Sequence, residues 1–104
     1  MTVTSKALAR TAAATSSTTL YTAPTTTSVA VVTNIVLANA AASTSTVTVA
    51  MDGVVIVPAV SVAANSLIGF DLKQVLPANA TPKTITGFAS TTAVSIHISG
   101  VEIN

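Results

Sequence analysis

The chain has no cysteine, so it can build neither a disulfide framework nor a thiolate metal site. Charge is nearly as scarce. Lys6, Arg10, Lys73 and Lys83 stand against Asp52, Asp71 and Glu102, together 7% of 104 residues, where a soluble domain typically carries about 25%. A net charge of +1 cannot supply the electrostatic footprint of a nucleic-acid binder. Calcium takes roughly six to eight oxygens, several from clustered carboxylates, and three acids argue against such a site. Glycine and proline stand at four each, which excludes collagen-like and linker classes. Three aromatics cannot form the girdles of a membrane β-barrel. A spanning helix takes about 20 consecutive apolar residues, and the best stretch, 29–42, is interrupted by Thr33, Asn34 and Asn39. After Lys6 and Arg10 the chain runs into TAAATSSTT rather than an apolar segment, so neither a secretory signal nor a membrane anchor is expected.

What is present is small, uncharged and rich in strand formers. Thr and Ala occur nineteen times each, Val fifteen and Ser eleven. Half of the chain is hydrophobic, the reverse of a disordered composition. This length is one domain's worth and buries roughly two-thirds of its unfolded surface. With so few charges, much of the remaining surface must be Thr, Ser, Ala and exposed aliphatic side chains. Low net charge and few surface charges favour association, so obligate assembly is the first functional expectation. Acid–base and metal-binding groups are nearly missing, so no enzyme activity and no cofactor are expected.

The hydropathy pattern predicts strands almost throughout. Over 29–38, Val29, Val31, Ile35 and Leu37 share one face with Thr33, while Val32, Val36 and Ala38 share the other with Asn34. Both faces are largely apolar, as in a strand covered on both sides. Residues 46–57 read as a hairpin whose Asp52-Gly53 pair signals a type I′ turn, because both positions need a positive φ. Pro58 ends the returning strand or marks it as an edge. Residues 66–73, 84–89 and 93–103 give further strands, with a loop over 75–83 containing Pro77, Asn79 and Pro82. Residues 2–9 suit a strand or a short helix, and 19–24 a short strand closed by Pro24. Seven or eight strands with short turns and no fixed-period repeat predict an all-β fold. The expectation is a single β-sandwich, jelly-roll-like or immunoglobulin-like, over 20–104. Residues 1–19 are expected to be an N-terminal arm or linker, too poor in bulky apolar groups for a core of its own. Such an arm could add a strand to a neighbour's sheet edge, with Val3, Lys6, Leu8 and Arg10 as candidate assembly contacts.

Few residues invite a chemical role. Val94, Ile96 and Ile98 alternate with Ser95, His97 and Ser99. After Gly100 the apolar parity shifts to Val101 and Ile103, which predicts a bulge returning Glu102 to the His97 side. A Ser/His/Glu grouping has the elements of a triad, but no GxSxG elbow accompanies it. A polar outer face on a terminal strand accounts for the same residues. Asp52 is explained as a turn former, and Asp71 with Lys73 as a solvent-facing pair. Asn79-Ala80-Thr81 matches the glycosylation sequon, a chance spacing in a chain with no expected secretory signal. The Thr-x-Thr run at 44–49 has the local look of an ice-binding face without the stacked repeat, and Thr is simply a good strand residue. Tyr21, Phe70 and Phe88 read as core fillers. No catalytic, cofactor or metal residue is assigned.

LYTAP at 20–24, VAVVTNIVLANA at 29–40 and ISGVEI at 98–103 resemble the small Thr/Ala/Val-rich virion proteins encoded by tailed bacteriophages. The likeness runs over most of 20–104. It implies a β-sandwich on the particle with no catalytic residues, made in the bacterial cytoplasm and located in the virion. A capsid decoration (head-cement) protein bound to the major capsid protein is the leading expectation. A tail tube, tip or fibre component bound to tail proteins is the alternative. A homo-oligomer follows, with a trimer first because decoration proteins commonly sit at three-fold lattice positions; neither nucleic acid nor membrane is an expected partner. A receptor- or carbohydrate-binding adhesion module stays open as a different class, although an aromatic platform is missing.

Overall fold

The computed structural model describes residues 2–24, 26–81 and 83–104; Pro82, within the expected loop, lies outside them. It contains eight strands: β1 (Val3–Ala12), β2 (Thr18–Thr22), β3 (Val29–Asn39), β4 (Ser45–Met51), β5 (Val54–Val62), β6 (Ser66–Leu76), β7 (Thr84–Ala89) and β8 (Val94–Ile103). Among the described residues there is no helix, hence none able to cross a membrane. The antiparallel pairs β4·β5, β3·β6, β2·β7 and β1·β8 make one long ribbon that turns at the β4–β5 hairpin. The pairs β3·β8 and β4·β7 roll that ribbon into two four-stranded sheets, ordered β1-β8-β3-β6 and β2-β7-β4-β5. This is jelly-roll pairing. An immunoglobulin sandwich would join its first and second strands directly, and here they lie in different sheets.

Local chemistry explains the turns. Asp52 and Gly53 have φ of 54° and 77°, as the type I′ turn requires. Pro58 falls within β5, a sheet edge, and with Ala59 it forms the extra length opposite Thr48, between the pairs Val47↔Val60 and Val49↔Val57. Strand β6 continues to Leu76, so the following loop is shorter than expected. The core between the sheets is aliphatic, led by Ile35, Leu37, Ile85, Ile96 and Ile98. Each such side chain contributes roughly 1.5–3 kcal/mol on full burial.

Two expectations are corrected. The expected arm, 1–19, is not free over its described residues 2–19: β1 pairs with β8 from Val3↔Ile103 to Ala12↔Ser95, and Leu8, Ala9 and Ala13 join the core. The register slips between Ala7 and Ala9, so Leu8 and Ala9 both turn inward. Gly100 makes room for this, since a Cβ there would lie 2.9 Å from Leu8 Cδ1 and 2.2 Å from the Val31 carbonyl oxygen. Composition alone made the segment look coreless because a strand needs only a few inward residues once a partner supplies the rest.

The second correction concerns β8. Val94, Ile96, Ile98, Gly100 and Glu102 are all buried in unbroken alternation. The slips lie in the two neighbours, at Leu8 and at Thr33, on either side of β8. Glu102 therefore faces the core and His97 faces outward, so no Ser/His/Glu grouping forms.

Candidate assembly surfaces

Between the sheets, near the end of β8, sits a polar clamp. Glu102 on β8 is only 7% exposed. It accepts a hydrogen bond from the Tyr21 hydroxyl on β2 in the opposite sheet, and its other oxygen lies 3.3 Å from Lys6 Nζ on β1. Burial is the main cause raising the Tyr21 pKa, helped by the hydrogen bond to Glu102 and by that carboxylate's charge. The phenol thus stays protonated and ties one sheet to the other. Nearby, the Ser28 hydroxyl donates to Asn104 Oδ1. At the end of β3, buried Asn39 donates to the carbonyls of Ser43, Val62 and Ala63 and accepts from the Ala41 N–H. These contacts fix loops, and among the described residues no buried side-chain polar atom lacks a partner. They offer no open, unsatisfied group for chemistry, and among the described residues no cluster of three metal-ligating side chains occurs.

The outer sheet faces are different. Cross-strand register lays the outer residues of the β1-β8-β3-β6 sheet in rows: Val3–Ile103–Val29, then Ser5–Val101–Val31–Val75, then Ala7–Ser99–Asn34–Asp71, then Arg10–His97–Val36–Gly69. The first two rows form a contiguous aliphatic patch, with Val3 57% and Val75 53% exposed. Asn34 Nδ2 donates to Asp71 Oδ1 at 3.1 Å, so Asp71 pairs across to β3 and not with Lys73 as expected. The outer face of the other sheet is hydroxyl-rich: Thr22–Thr84, Thr19–Thr86–Ala50–Val55 and Phe88–Thr48. An open depression of about 270 Å³ on it is lined by Thr48, Ala50, Val55, Thr86 and Phe88. Phe88 points outward rather than filling the core, whereas Tyr21 is buried and Phe70 packs against the core.

Of the four residues expected as assembly contacts, the fold makes two available on one face and withdraws the others. Val3 and Arg10 lie on the outer face, Arg10 beside His97. Lys6 is engaged with Glu102. Leu8 is a core residue and is removed as a contact. Asp52, besides shaping its turn, pairs with Lys83 Nζ at 3.1 Å. Asn79 Oδ1 accepts from the Thr81 N–H, a local turn that accounts for that spacing. The aliphatic rows were missed as a site, though the two-sided apolar pattern of 29–38 and the parity of Val101 and Ile103 signalled them.

No protein-family model and no curated protein matches this chain.

Proposed function

We propose that the chain is a non-enzymatic structural protein of a tailed-bacteriophage virion, a capsid decoration protein that binds the outer capsid surface and stabilises subunit contacts. The carrying observation is a jelly-roll sandwich whose two broad outer faces are dominated by aliphatic and threonine side chains and are covered by none of the described residues. Such a molecule gains most when neighbours cover those faces, because burial of aliphatic surface drives association without directional chemistry. The resemblance of 20–24, 29–40 and 98–103 to phage virion proteins supplies the particle, the major capsid protein supplies the partner, and a homo-oligomer fits a capsid lattice. The test mixes purified protein with particles, empty capsids and isolated tails, then pellets each and assays bound copies. Saturable binding to capsids is expected. Binding to tails alone makes it a tail component, and binding to none overturns the reading.

One observation favours a second reading, an adhesion module: the depression beside outward-facing Phe88 combines an aromatic edge with threonine hydroxyls, groups that suit a sugar. A glycan array showing saturable binding that Phe88→Ala abolishes would favour it.

A further inference from the structure

Residues 29–38 have the sequence of a strand covered on both faces, yet the fold covers only the inner one. The geometry points to the outer face of the β1-β8-β3-β6 sheet as the contact between two copies of this chain, packed sheet to sheet about a two-fold axis parallel to the strands. This rests on reading the protein as one that assembles, and adds the surface by which it does so.

Edge pairing is closed off. Each of the four edge strands has a register slip: β1 at Ala7/Ala9, β2 at Thr19/Tyr21, β5 opposite Val47/Val49 and β6 opposite Val32/Asn34. Bulges of this kind keep an open edge from templating another chain. A weakly charged molecule with blunted edges associates through a face. Of its two faces, one interleaves threonine hydroxyls with Ala50, Val55 and Phe88, and desolvating those hydroxyls costs free energy unless each finds a partner. The other presents Val29, Val31, Val75, Val101 and Ile103, with polar rows alongside. The apolar rows lie at one end of this face and more polar rows adjoin them on one side, so apolar and polar contact area lie next to each other, as in a specific interface.

A two-fold axis along the strands lays each row over its own reverse. Val101 and Val31 of one copy then meet Val31 and Val101 of the other. Strand β1 of one copy comes over β6 of the second, which brings Arg10 over Gly69 and one row from Asp71, its opposite in charge. Lys73 lies beyond Asp71, on the side away from the Arg10 row. The Cα envelope measures 45 × 22 × 18 Å. One broad face therefore offers on the order of 900 Å², against the roughly 800 Å² per partner of a standard interface. Aligned sheets accommodate their twist by crossing at about 30°.

Sedimentation of the full chain tests this. The wild type is expected at twice 10.3 kDa. Val101→Lys is expected to weaken the dimer by about 100-fold or more, since it buries an unpaired charge, with the strand dichroism unchanged. Thr48→Lys, on the opposite face, is expected to leave the dimer intact. Arg10→Asp and Asp71→Arg each weaken it by about fivefold, and the double exchange restores it; these exposed positions carry the test should Val101→Lys fail to fold. A wild type that stays monomeric at millimolar concentration overturns the proposal. So does an oligomer indifferent to Val101→Lys, or one dissociated by Thr48→Lys. A dimer that ignores phage particles contradicts only the virion reading, and a monomer that binds them contradicts only the dimer face.

Discussion

Tyr21 is the only tyrosine in a chain without tryptophan, so its ionisation can be followed without interference. Burial, then Glu102, raise its pKa above the ordinary value. The folded protein thus holds this proton to higher pH than the unfolded chain does. The associated stability is complete below the unfolded pKa, about 10, and is lost as pH rises beyond it. On alkaline titration, tyrosinate absorbance is expected to rise together with loss of strand dichroism. Ionisation at the ordinary value with the fold intact would contradict the clamp. Tyr21→Phe leaves Glu102 with Lys6 alone and is expected to lower stability by about 1.5–3 kcal/mol, measured by denaturant unfolding. The glycines make a sharper contrast. Gly100→Ala drives a Cβ into the Val31 carbonyl and should cost about 3 kcal/mol or more. Gly69→Ala meets nothing nearer than Val36 Cγ2 at 3.8 Å and should stay within about 0.5 kcal/mol of wild type. Ala59 sits at φ 48° in the β5 bulge; Ala59→Gly relieves a left-handed conformation and is expected to stabilise by about 0.5–1 kcal/mol, read as a raised midpoint.

At the scale of elements, β1 is the one that changes meaning between sequence and fold. Removing residues 2–17 uncovers the β8 edge and takes Leu8 and Ala9 out of the core. The truncated chain is expected to unfold at a lower temperature or precipitate, whereas full stability in calorimetry would restore the free-arm reading. Leu8→Ala alone should cost about 2–4 kcal/mol. Strands β3, β4 and β7 and the Asp52-Gly53 turn were legible because alternation and a positive-φ pair are local signals. Strand β1 was only half legible: 2–9 suited a strand or a short helix, but its place in the sandwich depends on a bulge and on the bare Gly100 beneath Leu8, both long-range facts. The side taken by Glu102 was misread for a related reason: the slips lie in the strands beside β8, where the β8 sequence cannot record them. The apolar outer rows were visible as hydropathy, but only register across three strands turns Val29, Val31, Val75 and Val101 into one patch.

The whole molecule is a rolled ribbon that satisfies its interior, with its outer faces assigned by the proposal to contacts with neighbours. Composition and fold agree here. So few charges leave the exterior to threonine and aliphatic groups, and bulged edges disfavour strand addition at the sheet margins. The central claim is that the aliphatic face of the β1-β8-β3-β6 sheet is covered in the working assembly. Because the chain has no cysteine of its own, a single introduced thiol reports coverage directly. Val75→Cys places it on that face and Thr46→Cys on the opposite one, both at exposed positions. The rate of maleimide labelling is measured for each across a dilution series. The expected result is a Val75→Cys thiol shielded at high concentration and released on dilution, with Thr46→Cys labelled rapidly throughout. Equal, concentration-independent labelling of the two would contradict the account.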